Sequence, residues 1–382
     1  MSFWSILFCL QACSLDGAGQ VEVQSVTDLP AATYPDHDGD FWAAIGDLSL
    51  REAASLAESG GHRQFVAAMD SAVRGNWDGV ASTLDCTGNA LDDIRQKAAR
   101  LELRNLVLQT QSKWQALRDL VRSHPGLLPE SRHEILVTSV AYASSPPERF
   151  EVTRQPVTIA MDPILTGQPE IEVKVNGRAF PFILDTGAGI TVLTEEAAEA
   201  CGVDPIGSDV GYARTSTSHR VAFRPGVVKQ LSIGGVVIEN HPVAIVKPDD
   251  LSFGIAGITL VRIRGIVGWP VFSKMAVTLD YDRSEATFVR SEGGQVEDPN
   301  LFWLGYPIVR ILSEEGIPLH FGLDTGAQKS SLKDRTLSKL DVSFVTADDF
   351  AMGAGGSEHV RVREAKDLSL YLSGCRMTRL RK

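Results

Sequence analysis

Two hydrophobic periods divide this chain. From residue 41 to about 124, apolar positions recur at i, i+3, i+4 and i+7, the spacing of one buried helical face. Ser49-Leu-Arg-Glu52 is a capping-box pattern, in which a hydroxyl and a carboxylate three residues on satisfy the first free amides of a helix. That helix is expected to stop at Gly60-Gly61. Phe65, Met69, Ala72 and Val73 carry the period on to Gly75, and Trp77, Val80, Ala81 and Leu84 repeat it. Leu91, Ile94, Ala98 and Leu101 begin another stripe, and Trp114, Leu117 and Val121 close the series before Pro125. These aromatic and Met stripes belong to a core.

The helical series is similar to tetratricopeptide-like hairpins, without the regular period that such repeats keep. Residues 125–150 read as a linker, and beyond them the period becomes two. Ile171, Val173 and Val175 alternate with charged residues, and Asn176-Gly177 marks a tight hairpin turn. Ala179 to Leu184 then runs into Asp185; Glu195 to Cys201 reads as a short helix, and Val227 to Ile238 as two strands about Gly234-Gly235.

The chemistry lies where that apolar strand ends. Phe182-Ile-Leu-Asp-Thr-Gly-Ala-Gly-Ile-Thr-Val-Leu193 has a second copy at Phe321-Gly-Leu-Asp-Thr-Gly-Ala-Gln-Lys-Ser-Ser-Leu332. Asp324 follows Asp185 by 139 residues, and the same step carries Gly177 to Gly316 and Leu231-Ser-Ile233 to Leu370-Tyr-Leu372. Acids and flanking strands that share one offset read as an internal repeat. Each copy turns sharply at Gly187 or Gly326, where glycine supplies the backbone freedom. Thr186 and Thr325 carry hydroxyls that can brace the turn. Two carboxylates brought face to face cannot both ionise cheaply, so one keeps a proton while the other stays charged.

These residues resemble the Asp-Thr-Gly-Ala active-site loop of retropepsin-type aspartic proteases. Gly265-Ile-Val-Gly-Trp-Pro-Val-Phe272 resembles the element that packs behind this loop in that family, with Gly268 permitting close passage. The resemblance implies catalytic Asp185 and Asp324, with Thr186, Gly187, Ala188, Thr325, Gly326, Ala327 and Gly268 in support. It also implies flaps, one around Tyr212 in the polar run 211–219 and one at Gly353, Gly355 and Gly356. Ala188 and Ala327, where pepsin-type sites more often carry Ser, bring it nearer the retroviral branch and imply a less extreme acid optimum. A counterpart of Gly268 in the second copy would fall beyond Lys382, so that lobe is expected to lack a supporting strand and to show an open edge.

Composition narrows the rest. The chain has 382 residues, 43% of them apolar and 22% charged, enough for two or three domains. A net charge of −11 without a dense basic cluster argues against a nucleic-acid partner. The cysteines at 9, 13, 86, 201 and 375 show no metal-ligand spacing, and no cofactor or metal is expected. Asp36-His-Asp-Gly-Asp40 suggests a calcium loop, but Phe41 and Asp47 occupy the positions that need Gly and Glu, so it reads as linker. Phe3 to Leu10 is a short apolar run, and Leu10-Gln-Ala-Cys13 looks like a bacterial lipobox with Cys13 as the lipidated residue, although no Lys or Arg precedes it. His133-Glu134 lacks the second His of a zinc helix, Cys201 and Cys375 read as small buried apolar residues, and Lys329 reads as solvent-facing.

The expectation is therefore an α+β multidomain chain: a signal segment at 1–12, a linker at 13–40, a helical domain at 41–124 and a linker at 125–150. Retropepsin-like lobes follow at 151–295 and 300–382, the second incomplete. The resemblance implies an aspartic endopeptidase acting on protein or peptide in the bacterial envelope or periplasm, lipid-anchored through Cys13 or secreted. It would be a monomer with a pseudo-dimeric site. Two alternatives stand beside it: a homodimer using Asp185 alone, and a non-catalytic peptide-binding envelope protein.

Overall fold

Helices occupy Phe41–Gly46, Leu50–Ser55, Gly60–Val73, Trp77–Asp85, Ile94–Thr110, Trp114–Ser123 and Arg132–Ala143, and strands dominate thereafter. The computed structural model describes residues 21–26, 38–85, 94–126, 132–215, 219–255, 258–291, 299–327, 330, 340, 342–365, 368–373 and 375–379. The signal segment, Cys13, Cys86, Leu91 and Lys329 lie outside these. No helix among the described residues is long and apolar enough to cross a membrane.

Several local readings change. Asp40 is the cap of the first helix, accepting from the Trp42 and Ala43 amides at 2.8 and 3.1 Å. Ser49 precedes the second helix, but its buried hydroxyl makes no cap bond, so the capping box does not form. That helix stops at Ser55, and Gly60 opens the next one, capped by Ser59 on His62 N. An N-cap hydroxyl thus outweighs the helix-breaking tendency of two glycines. Gly75, at φ +71°, ends the third helix as the sequence suggests. In Ile94–Thr110 the buried face is Ala99, Leu103, Leu106 and Val107, while Ile94 and Ala98 are exposed. The larger apolar side chains of the C-terminal half decide which face turns inward.

Neither linker is structureless. Val21–Ser25, inside 13–40, is a strand paired antiparallel with Cys375–Arg379. Arg132–Ala143, inside 125–150, is a helix whose buried Tyr142 donates to the Val243 carbonyl at 2.8 Å. This helix packs on the strands Gly211–Arg214 and Arg220–Ile233.

Among the described residues the first sheet has nine strands. At its centre Thr191–Thr194, Gly265–Val267, Arg178–Leu184 and Pro169–Val175 lie side by side, with Gly265–Val267 parallel to Arg178–Leu184. Ile171, Val173 and Val175 point into a core with Phe182, Leu184, Leu231 and Phe288. Fully burying each such side chain contributes about 1.5–3 kcal/mol. Asn176 and Gly177, at φ +49° and +86°, make the left-handed turn that joins the hairpin. Thr194 caps the short helix Glu195–Ala200.

The second sheet has six strands among the described residues, running from Val21–Ser25 through Cys375–Arg379, Ser369–Leu372 and Pro307–Ser313 to Leu301–Trp303. Pro318–Gly322 also pairs with Pro307–Ser313. Among the described residues no strand covers its other side, where the first sheet has Gly265–Val267. Phe302, Leu304 and Ile308 of this sheet share one buried cluster with Phe41, Trp42, Phe65, Met69, Leu103 and Leu106 of the helices. The first five helices therefore share their core with this sheet, while Leu117, Val121 and Ile135 of the last two form a smaller cluster among the helices. Trp269 and Trp303 stack 5.3 Å apart, joining the two sheets.

Candidate active site

The ladder of the first sheet delivers Asp185. Its amide donates to the Val267 carbonyl at 3.0 Å, so the strand holds its register to the last residue before the turn. The turn folds back on the carboxylate, whose Oδ1 accepts from the Gly187 and Ala188 amides at 2.8 and 3.1 Å. Behind the loop Trp269 N donates to the Ala188 carbonyl at 2.8 Å. A Cβ on Gly268 would lie 2.5 Å from the Ile190 carbonyl oxygen, so only glycine allows this approach. In the second copy Gly326 N donates to Asp324 Oδ1 at 2.9 Å and Ala327 N to the Asp324 backbone carbonyl at 3.3 Å.

The two loops meet. A Cβ on Gly187 would lie 2.5 Å from Asp324 Cγ, and one on Gly326 would lie 2.5 Å from Asp185 Cγ. Each carboxyl therefore rests on the other loop's glycine. Thr186 Oγ1 donates to the Leu323 carbonyl at 2.7 Å and accepts from Thr325 N at 3.0 Å. Thr325 Oγ1 donates to the Leu184 carbonyl at 2.7 Å and accepts from Thr186 N at 3.1 Å. Burial first, then the Asp324 charge and a hydrogen bond with Asp324, raise Asp185 well above the ordinary carboxylate range against the pull of the Gly187 and Ala188 amides.

The flap candidates lie on two elements, one a strand of the first sheet and the other a separate hairpin. Tyr212 is half-exposed on Gly211–Arg214, beside the ring of His133. Gly353, Gly355 and Gly356 lie at the end of the hairpin formed by Phe344–Gly353 and Gly356–Ala365. This hairpin tip reaches the first sheet: Gly355 N donates to the Asp250 carbonyl at 2.9 Å, and Ala354 packs beside Val221, Ile263 and Ile266.

Three contributors escaped the sequence reading. Tyr306 donates its hydroxyl to Asp324 Oδ2 at 3.0 Å. Gln168 donates from Nε2 to the Gly326 carbonyl at 3.0 Å, bridging from the first sheet to the second loop. Buried His241 contacts Glu148 through Nδ1 and Thr191 Oγ1 through Nε2 at 2.7 Å, and Thr191 Oγ1 accepts from Gly268 N at 3.3 Å. The legible signal was hairpin register, which places residues 168 and 306 opposite the two aspartates. The His241 chain spans residues too distant in sequence to carry one.

Two aspartate loops thus face each other, each carboxyl set on the opposite glycine. Residues 171–271 match the aspartyl protease family, a stretch that contains Asp185 and Gly268 and stops before Asp324. The chain thus carries a segment similar to aspartyl proteases. It is 24% identical over 103 residues to a protein of Sinorhizobium sp. described as an uncharacterized protein in the cobV 5′ region, a match covering 27% of this chain and 44% of that one. Among solved structures it is similar to a retropepsin-like aspartic protease from Rickettsia conorii, at 20% identity over 37% of this chain and 95% of the other, with a TM-score of 0.25. It is also similar to the retroviral protease-like domain of Ddi1 from Leishmania major, at 15% identity over 34% and 98%, with a TM-score of 0.22.

Proposed function

We propose that this protein is an aspartic endopeptidase whose two Asp-Thr-Gly-Ala loops build one site within a single chain. The observation that carries the reading is the reciprocal seating of Asp185 and Asp324 on Gly326 and Gly187. Two carboxyls this close share a proton, so one can take a proton from water while the other gives one to the scissile carbonyl. The amides of Gly187, Ala188 and Gly326 and the threonine exchange hold both groups in place, so little reorganisation accompanies the reaction.

In this reading residues 151–295 and 300–382 are the two lobes of a pseudo-dimer. The helical domain at 41–124 braces the second through its shared core. An extended peptide lies between the lobes, paired with the strand that carries Tyr212 and with the hairpin tip at Gly353, Gly355 and Gly356. The pattern Leu10-Gln-Ala-Cys13 supports a bacterial envelope location with Cys13 as lipid anchor.

The test is cleavage of a peptide library between pH 3 and 7 by the parent and by Asp185→Asn and Asp324→Asn. Loss of cleavage in each variant separately is the expected result. Retained cleavage in Asp324→Asn would transfer the site to a pair of Asp185 residues from two copies. Peptide binding without turnover in the parent would reject the peptidase.

A further inference from the structure

We propose that Tyr306 is a positioning residue, donating its hydroxyl to Asp324 so that Asp324 is the carboxylate of the pair and Asp185 the acid. The assignment of roles rests on the peptidase reading above. The proton placement rests on the hydrogen bonds of the pair and does not depend on that reading.

The argument starts from two ladders. Pro307–Ser313 pairs with Pro318–Gly322 so that Ile308 faces Gly322, and the Leu323 amide extends the register by donating to the Pro307 carbonyl at 2.8 Å. Tyr306 thus falls opposite Asp324, and its hydroxyl lies 3.0 Å from Oδ2. Asp324 Oδ1 is already occupied by Gly326 N, so the phenol completes the carboxylate's second oxygen. In the first sheet Glu170 faces Ile183, which puts Gln168 opposite Asp185. Gln168 does not serve Asp185. It donates to the Gly326 carbonyl and accepts from Thr166 Oγ1. Ala188 and Ala327 place no hydroxyl at either loop, and Tyr306 supplies one to Asp324.

Asp185 takes both its amide donors on Oδ1, whereas Asp324 has a donor on each oxygen, and this difference places the proton on Asp185. A phenol well below its pKa of about 10 keeps its hydrogen, and donates it most strongly to an ionised oxygen. A hydrogen bond to the charged form favours that form. Among the described residues, the titratable groups meeting at the pair are Asp185, Asp324 and Tyr306, and the raised pKa of Asp185 agrees with its keeping the proton.

The resulting cycle balances. Asp324 takes a proton from water as the water oxygen bonds to the scissile carbon, and Asp185 gives its proton to the carbonyl oxygen. Asp324 then passes its proton to the nitrogen as the C–N bond breaks. Asp185 recovers one from a hydroxyl of the diol, leaving a carboxylic acid and an amine.

The test is a carboxyl titration of the full chain with carbon-13 at aspartate Cγ, the two resonances assigned from Asp185→Asn and Asp324→Asn. At pH 5 the resonance missing from Asp324→Asn is expected to be ionised and the one missing from Asp185→Asn protonated. Tyr306→Phe should raise the lower apparent pKa of the pair by about one unit. It should also cut kcat about tenfold with little change in KM. Site-specific 3-fluorotyrosine at 306, a more acidic donor that leaves the packing in place, should move the same pKa down. A lower pKa indifferent to both changes, or a proton found on Asp324, would overturn the assignment. A parent that titrates as expected but cuts no peptide would reject the peptidase reading and uphold the proton placement.

Discussion

Thr186 and Thr325 hold each other across the site, each hydroxyl donating to a strand carbonyl beside the opposite aspartate and accepting the opposite threonine's amide. Four bonds of 2.7–3.1 Å thus join two sheets whose strands do not pair with one another. Thr186→Val keeps the shape and removes the hydroxyl, leaving the Leu323 carbonyl and the Thr325 amide without this partner. Each buried group left unpaired costs about 1–3 kcal/mol. Urea unfolding should show a loss of about 2–4 kcal/mol in Thr186→Val and most of it restored in Thr186→Ser. A valine variant as stable as the parent would mean that the exchange does not hold the sheets together.

The acid pair also sets a pH dependence. Folding raises the pKa of Asp185, by burial first and the Asp324 charge second. A carboxyl raised in this way adds stability below its ordinary pKa of about 4, and loses it as the pH climbs through the raised value. Asp185→Asn carries no charge at any pH. It should therefore melt higher than the parent at pH 8, with the gap closing toward pH 3. Equal melting across that range would contradict a shared, buried proton.

Gly268 tests the support behind the first loop. An added methyl would meet the Ile190 carbonyl oxygen at 2.5 Å and that of Ala188 at 2.8 Å, both backbone atoms. Gly268→Ala should cost about 1–3 kcal/mol through overpacking. By displacing the loop that carries Asp185, it should also lower peptidase turnover about 100-fold. Turnover near the parent's, in a variant that has lost stability, would separate the support from the chemistry.

Tyr142 anchors the helices to the first sheet through its bond to Val243. Burial pushes its phenol up, so it remains a donor through the physiological range. Tyr142→Phe leaves a buried carbonyl without this donor and should cost about 1–2 kcal/mol by thermal unfolding. The loss should appear as faster amide exchange in Gly211–Arg214, the strand on which this helix packs, and uniform exchange would show the helix to be a passenger.

Local chemistry was legible from residue order alone. An apolar strand ending in Asp-Thr-Gly needs no distant partner to make a carboxylate-bearing turn, and Asn176-Gly177 needs none to reverse a hairpin. The helical period likewise marked the region 41–124 as helical, though it missed the helix Arg132–Ala143, misplaced the boundary at Gly60 and misjudged the inward face at Ile94 and Ala98. Only the fold decided what faced what: Tyr306 on Asp324, Gln168 on Gly326, Glu148 behind His241, and Val21–Ser25 beside Cys375–Arg379. It also decided that the helices share a core with Phe302 and Ile308. Periodicity and turn preference act over a few residues of backbone, whereas these contacts depend on strand register and on which apolar faces are buried together.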